Sequence, residues 1–306
     1  MSMQKQNLLV TGVSGHYGRL AATHLIASHP AGSNGATLIG TTRTPSHVRD
    51  LADRGVDVRQ ADFDQPSGLA GAFAGAQRML LTSTAADCAG ARRVRQHRHA
   101  IAAAQAAGVG HVVYASFLAS ADSPLAALAA DHLATEQALH AARIGHTVLR
   151  HAFYMEMVLA TARQAIASGV LRTLNASAGV AYVARADCAL AGACALRGGS
   201  GASPPGTTFD ITGPHAVTPT ALAGAIGDCL GIEVKVEEVS EDELRASLVA
   251  GGLPDPVAGL VVYLERGMAQ GAMQAVSPDF GRLTGREPRG IESFLIQHRE
   301  ALTAVR

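Results

Sequence analysis

The sequence predicts an α/β protein with a doubly wound parallel sheet, followed by a smaller α+β lobe in the C-terminal half. Two observations lead to this prediction. Short apolar, strand-like segments alternate with helix-like segments from Leu8 to Leu149, and the first of them runs directly into a glycine-rich turn. Since strand–helix–strand crossovers are right-handed, this alternation places helices on both faces of one sheet.

The first half of the chain contains the strands and helices of this sheet. The strands are predicted at Leu8–Val10, Thr37–Thr41, Val56–Arg59, Arg78–Leu81, His111–Ala115 and Thr147–Leu149. The helices are predicted at Gly15–Ser28, Ser46–Arg54, Ser67–Phe73, Ala89–Ala107 and Leu125–Ala142. Ligands bind to such sheets at the carboxyl ends of the strands, so Thr82, Ser83 and Ser116 become candidate site residues.

The second half is less regular and predicts the smaller lobe. Its helices are predicted at Met155–Ser168, Ala186–Leu196, Thr220–Leu230, Glu241–Ala250 and Val257–Gln270. Its strands are predicted at Val180–Val183, Phe209–Thr212 and Val234–Val239, with a surface loop at Gly198–Gly206. No internal repeat is present, which argues against a solenoid.

Composition limits the partners and the cellular location. The chain has 306 residues, 48% of them hydrophobic and 16% charged, which is typical of a globular protein with a large core. Its formal net charge is zero, so we expect neither nucleic acid nor a membrane as a partner. The four cysteines form no Cys-x-x-Cys pair and no ligand cluster, which favours reduced thiols and no metal. The N-terminus has no apolar signal core, so we expect the protein to be cytoplasmic. We further expect a monomer or a homodimer.

The glycine-rich turn predicts a dinucleotide site. Gly12, Gly15 and Gly18 follow the first strand, and glycine permits a tight turn, close approach of backbone N–H groups to phosphate, and close helix packing. The spacing Gly-x-x-Gly-x-x-Gly differs from the common Gly-x-Gly-x-x-Gly, and a purely structural turn is the alternative. The candidate cofactor-binding residues of the turn are Thr11, Gly12, Ser14, Gly15, His16, Tyr17 and Gly18.

The end of the second strand favours NADP(H) over NAD(H). NAD-binding proteins commonly place a carboxylate there, whereas Arg43 offers a guanidinium for a 2′-phosphate and no carboxylate follows until Asp50. An ordinary exposed arginine is the alternative. Asp62 and Phe63 follow the third strand and are candidates for the adenine side, although a helix cap would equally explain the aspartate.

Several segments together resemble the NmrA-like atypical short-chain dehydrogenases, and most closely the bacterial NADPH:quinone oxidoreductase and triphenylmethane reductase type. These segments are Thr11–Gly18, Arg43, Arg59–Asp62, Ser116–Leu118, Asp122–Leu125, Asp131–Glu136, Leu149–Tyr154 and Gly252–Asp255. The resemblance implies a Rossmann-type domain over residues 1–153, completed by a strand near 207–212, with most of 154–306 forming a substrate-binding lobe. It also implies hydride transfer from NADPH to a small quinone-like acceptor, with Thr82 and Ser83 beside the ribose. The chain departs from the type at His151 and Met157, where the relatives carry asparagine.

The catalytic residues are less clear from the sequence. The helix after the fifth strand lacks the Tyr/Lys pair of typical short-chain dehydrogenases, and it offers His132 and Glu136 at the same spacing. These two could form a proton donor oriented by a carboxylate, or merely a solvated contact. Ser116 could orient the substrate or cap a turn, and Tyr154 could line the acceptor pocket or pack in the core.

A non-catalytic alternative also follows from the resemblance. NmrA-like relatives include NADP(H)-sensing regulators that act through protein partners. The basic stretch Arg92–His99 could provide a partner surface or, more simply, a solvated helix. Turnover of an acceptor separates the enzyme from the sensor.

Overall fold

The described part of the structure, a computed structural model, comprises residues 6–28, 37–198 and 206–303. Its strands are β1 (Leu8–Thr11), β2 (Leu38–Thr42), β3 (Asp57–Gln60), β4 (Arg78–Leu81), β5 (His111–Phe117), β6 (Gly145–His151), β7 (Val170–Thr173), β8 (Thr207–Ile211) and β9 (Lys235–Glu238). Seven of these form one parallel sheet in the order β3-β2-β1-β4-β5-β6-β8. The predicted doubly wound sheet is confirmed, and the strand predicted at Phe209–Thr212 is β8.

The helices of the described residues cover both faces of this sheet or belong to the smaller lobe. They are α1 (His16–Ser28), α2 (Arg49–Asp53), α3 (Leu69–Phe73), α4 (Ala91–Ala106), α5 (Ala126–Ala141), α6 (Val158–Ser168), α7 (Arg185–Arg197), α8 (Pro219–Leu230), α9 (Glu241–Ala250), α10 (Asp255–Ala269), α11 (Asp279–Thr284), α12 (Ile291–Gln297) and α13 (Arg299–Thr303). One apolar core lies between the sheet and α1, α2, α7 and α11, and a second lies between the opposite face and α3, α4 and α5. On β1, Val10 packs in the first core and Leu9 in the second, because successive side chains of a strand point to opposite faces of the sheet.

The smaller lobe packs around a two-stranded parallel sheet of β7 and β9. Its core joins α6, α8 and α12. The sequence did not predict β7, because Val170–Thr173 is only four residues long and carries no alternating pattern that separates it from the preceding helix. Gly169, with a φ of +73°, ends α6 directly before this strand.

Two other predictions in the second half need comment. The strand predicted at Val180–Val183 is wrong: Val180 and Val183 each form only an isolated bridge, to Val217 and Tyr154 respectively. The predicted loop Gly198–Gly206 lies mostly at 199–205, outside the described residues. None of the helices in the described ranges combines the length and the apolarity needed to cross a membrane.

Candidate active site

The carboxyl ends of the sheet strands border a cavity of about 820 Å³, a size typical of small-molecule sites. The structure brings nearly all the predicted site residues to this cavity. Those that line it are Gly12, Ser14, Gly15, His16, Tyr17, Gly18, Arg43, Asp62, Phe63, Thr82, Ser83, Ser116, His132 and Tyr154. Thr11 and Glu136, which the sequence also singled out, are not part of the lining.

The glycine turn leaves no room for a side chain where the start of α1 packs against the backbone at the end of β1. A Cβ on Gly18 would lie 2.5 Å from Gly12 O and 2.8 Å from Thr11 O. Gly12 adopts a φ of +62°, and a Cβ there would lie 2.7 Å from Thr82 Oγ1. The turn is closed by a hydrogen bond from Gly15 N to Gly12 O at 2.9 Å. The first turn of α1 therefore presents backbone N–H groups to the cavity, as phosphate binding requires.

Thr11 and Thr82 hold the turn against the end of β4. Thr82 N donates to Thr11 Oγ1 at 2.9 Å, and Thr82 Oγ1 donates to Thr11 O at 3.1 Å. Both side chains are buried. Thr11 thus lies behind the cavity, and its hydroxyl is occupied by protein partners.

Tyr17 has a packing role in addition to its place in the cavity wall. Its hydroxyl donates to Cys188 O on α7 at 3.1 Å. A Cβ on Gly192 would lie 2.5 Å from the same hydroxyl oxygen, so α7 can approach α1 this closely only with a glycine there. Burial raises the pKa of Tyr17 well above its usual value, and the phenol stays protonated.

Arg43 lines the cavity at the end of β2, the strand next to β1, and its side chain is exposed. In the described part of the chain no salt bridge involves its guanidinium. Asp50, the first carboxylate after β2, pairs with Arg19 at 2.6 Å. The end of β2 therefore presents a cation to the cavity. Asp62 Oδ1 accepts a hydrogen bond from Asp64 N at 3.0 Å, which closes a local turn. The helix-cap alternative for Asp62 is wrong, because the helical turn that follows begins at Pro66 and receives no side-chain cap.

A buried ion pair braces the wall between α4 and α5. Arg93 Nη1 lies 2.9 Å from Asp131 Oδ2, and both side chains are less than a tenth exposed. Asp131 also accepts from Gly90 N at 2.7 Å, and Arg93 Nη2 donates to Thr84 O at 3.1 Å. This pair therefore ties the loop after β4 to α5.

His132 is held within this network and not by Glu136. Its Nδ1 lies 3.0 Å from the Tyr114 hydroxyl, and its Nε2 lies 3.3 Å from Arg93 Nη1. Burial, reinforced by the positive charge of Arg93, holds the pKa of His132 well below its usual value. The imidazole is therefore uncharged at neutral pH.

Glu136 has other partners, so the predicted His132–Glu136 pair is wrong. Arg150 on β6 binds its carboxylate through both Nε and Nη2, at 3.1 Å and 2.6 Å. Ser116 Oγ donates to Glu136 Oε1 at 2.6 Å. The bidentate arginine is a stronger partner for the carboxylate than an uncharged imidazole. Ser116 lines the cavity with a hydroxyl that is already directed by this pair.

The end of β6 supplies residues that the sequence did not assign. His151 is 2% exposed and lines the cavity, and its Nδ1 lies 3.3 Å from the Tyr154 hydroxyl. The Arg185 guanidinium lies 4.9 Å above the Tyr154 ring. Both Glu156 carboxylate oxygens accept from Arg185 N at 3.2 Å and cap α7. Burial keeps the pKa of Tyr154 above its usual value.

The remaining wall at this end is apolar. Phe117, Leu128, Phe153 and Met157 line it beside Tyr154. The Phe117 and Phe153 rings lie 5.5 Å apart, and Met157 is 41% exposed. Such a surface suits a flat, conjugated molecule.

The cavity fits a dinucleotide by two observations on its own atoms. The close backbone contact between Gly18 and Gly12 shapes a turn whose N–H groups can bind phosphate, which we call the phosphate cradle. The buried Thr84 Oγ1 and His151 Nε2 have no hydrogen-bond partner within the described residues, although buried polar atoms are normally paired. A bound ligand with polar groups would supply these partners.

Comparison with known proteins agrees with this geometry. Residues 12–193 match a family model described as NAD(P)H-binding. Quinone oxidoreductase 2 of Escherichia coli is 32% identical over 91% of this chain and 93% of its own length.

Two solved structures carry the same fold at similar identity. The NADPH-dependent quinone oxidoreductase from E. coli, complexed with NADPH, superposes with a TM-score of 0.85 at 31% identity, covering 96% of this chain and 99% of that one. The Citrobacter sp. triphenylmethane reductase complexed with NADP(H) gives a TM-score of 0.83 at 31% identity, over 95% and 99%. With its glycine turn, its Rossmann-type sheet and its matched family model, this chain belongs to the NAD(P)H-binding protein family.

Proposed function

We propose that the protein is an NADPH-dependent oxidoreductase that transfers a hydride to a quinone or a similar conjugated acceptor. The observation that carries this proposal is one continuous cavity. Its one end has a phosphate cradle and the Arg43 guanidinium, which forms no salt bridge with any described residue, and its other end has an aromatic wall. The relatives named as quinone and triphenylmethane reductases support the enzyme over the NADP(H)-sensing alternative. Bound NADPH would supply the hydride.

The residues divide between cofactor and acceptor along this cavity. In our proposal the turn from Gly12 to Gly18 binds the pyrophosphate and Arg43 binds the 2′-phosphate. Asp62 and Phe63 flank the adenine, and Thr82 and Ser83 lie beside the ribose. Ser116, His132 and Tyr154 border the acceptor. Their part is to position it, since the charge left by hydride addition to a quinone spreads over the ring and water can complete protonation.

We expect the rate of quinone reduction to be flat between about pH 6 and pH 8, because no imidazole at the acceptor end titrates there. Burial lowers the pKa of His151 to about 3, and the pKa of His132 is also lowered. Both imidazole rings are neutral when the pH is above their lowered pKa, and they gain a charge only in stronger acid. Steady-state rates at saturating NADPH and acceptor would check this. An inflection near the ordinary histidine pKa would contradict it.

Replacing Arg43 with alanine is expected to weaken NADPH binding by about tenfold to a hundredfold, as for a lost charged hydrogen bond. NADH, which lacks the 2′-phosphate, should bind to the variant as it does to the parent. Titration calorimetry with both cofactors measures the difference. Arg49→Ala, which removes an exposed guanidinium from α2 outside the cavity lining, is the matched control. An equal loss for NADPH and NADH would refute the 2′-phosphate role.

The experiment that tests the function is a panel of acceptors. Purified protein is mixed with NADPH and with benzoquinones, naphthoquinones and triphenylmethane dyes, and the loss of nicotinamide absorbance is followed. Enzyme-dependent oxidation with at least one acceptor class is expected. Cofactor binding without turnover across the panel would instead favour the sensor.

The proposal extends to organisation and location. We propose that residues 1–153, with the strand near 207–212, form the cofactor domain and that most of 154–306 forms the substrate lobe. Helices α7 and α11 are the exceptions within the second range, since both belong to the apolar core on the sheet face that α1 covers. We also propose that the protein acts in the cytoplasm on a small molecule, as a monomer or homodimer.

A further inference from the structure

His151 combines burial with an unused polar atom. The side chain is 2% exposed, and its Nε2 has no hydrogen-bond partner among the described residues. The ring lies between two tyrosines, with centroid distances of 5.3 Å to Tyr17 and 6.1 Å to Tyr154. A buried polar atom without a partner is costly, and this one belongs to a residue that lines the cavity, where a bound ligand could satisfy it.

The neighbouring hydroxyl determines which ring nitrogen carries the proton. Tyr154 Oη lies 3.3 Å from His151 Nδ1, and the described residues offer this hydroxyl no other acceptor. We assign the Tyr154 O–H as the donor to Nδ1, and a neutral imidazole then carries its proton on Nε2. Burial lowers the pKa of His151 to about 3, so the ring holds a single proton at neutral pH. Nε2–H is thus a hydrogen-bond donor without an acceptor among the described residues.

The sheet order indicates which part of the ligand His151 meets. Arg43 follows β2 and the phosphate cradle follows β1, whereas His151 ends β6, on the far side of β4 and β5. A dinucleotide with its pyrophosphate at β1 and its adenosine toward β2 extends its other half over β4 to β6. His151 lines the cavity, and its ring lies 5.3 Å from that of Tyr17 in the first turn of α1. At this end of the cavity a bound dinucleotide would place its nicotinamide half.

We propose that His151 Nε2–H donates a hydrogen bond to the carboxamide oxygen of the nicotinamide and so fixes which face of the ring is turned toward the acceptor. The Tyr154 hydroxyl orients the imidazole from behind. The chain would thereby use a histidine for a cofactor contact at the position where the type that it resembles carries asparagine. This role is one of positioning, and it adds a residue that neither the motif nor the spacing indicated.

Two variants separate the two ring nitrogens. In His151→Asn the amide replaces Nδ1 and keeps a partner for Tyr154, but nothing replaces Nε2. In His151→Gln the longer side chain places its amide N–H near the position of Nε2. We expect His151→Asn to weaken NADPH binding by about five- to tenfold and His151→Gln to recover most of that loss.

The ligand that makes the test specific is 2′-phospho-ADP-ribose, which has every part of NADPH except the nicotinamide. Titration calorimetry should show that this ligand binds to the parent protein and both variants with the same affinity, which also shows that the variants are folded. His24→Asn is the control, because His24 Nε2 likewise has no hydrogen-bond partner within the described residues but lies on α1 outside the cavity lining. It should bind both ligands as the parent does.

Three outcomes would overturn the proposal. Equal weakening of NADPH and 2′-phospho-ADP-ribose by His151→Asn would assign the residue to structure. Unchanged NADPH affinity with a raised KM for the acceptor would assign Nε2–H to the acceptor. Failure of His151→Gln to recover affinity would show that the Nε2 position is not the contact. Absence of binding of either ligand to the parent protein would instead refute the cofactor site itself.

Discussion

Replacing Gly15 with aspartate is expected to weaken NADPH binding at least about a hundredfold, because the new carboxylate would face the phosphates at close range. Gly15 is exposed in the cavity wall directly before α1. A Cβ there would lie 3.3 Å from Gly12 O, so a small adjustment accommodates it. Aspartate is also a favoured residue at a helix N-terminus, and the variant should therefore fold.

The matched control is Gly15→Asn, which adds nearly the same volume without the charge. It should retain much more NADPH affinity than Gly15→Asp, and both variants should unfold at or near the temperature of the parent. Calorimetry measures the affinities and thermal unfolding measures the stabilities. If Gly15→Asp bound NADPH as the parent does, the phosphate would not lie at this turn. Gly18 is a poorer choice for the experiment, since a Cβ 2.5 Å from Gly12 O would disturb the turn itself.

The largest expected effect on stability comes from breaking the buried Arg93–Asp131 pair. Asp131→Ala leaves the Arg93 guanidinium buried without its counter-charge, and removing one partner of a buried ion pair costs about 3 to 5 kcal/mol. Gly90 N also loses its acceptor. We expect the free energy of unfolding, measured by urea denaturation, to fall by this amount.

The control for this prediction is an exposed ion pair of similar geometry. Arg245 and Asp255 lie 2.7 Å apart with side chains 49% and 60% exposed. Asp255→Ala should change the free energy of unfolding little, because solvent screens such pairs. Similar losses from Asp131→Ala and Asp255→Ala would mean that burial of the first pair does not strengthen it.

The sequence allowed the residues of the glycine turn and Arg43 to be assigned to one cavity, because their signals are local. A glycine-rich turn after the first strand and an arginine after the second can be recognised from neighbouring residues alone. Their interpretation does not depend on how the helices pack. The ends of parallel strands meet at one edge, so residues from β1 to β6 were expected to share a site before any contact was known. The structure brings them there.

The contacts at the other end of the cavity, around α5 and β6, could not be predicted as well, because they depend on which faces of the helices and strands meet. His132 and Glu136 share a helical face by spacing, yet Arg150 from β6 takes the carboxylate. Arg93 belongs to a run of basic residues that resembles a solvated helix, but the rotation of α4 turns it inward to Asp131. Tertiary packing determines which charged residues pair with each other, and the spacing of residues in the sequence does not predict these pairs.

The most direct test of the account is a calorimetric titration of the unmodified protein with NADPH and with NADH. The account predicts one NADPH site per chain, with NADPH bound at least about tenfold more tightly than NADH through the contact of Arg43 with the 2′-phosphate. No heat with either nucleotide, measured at two temperatures to exclude a fortuitous zero enthalpy, would contradict it.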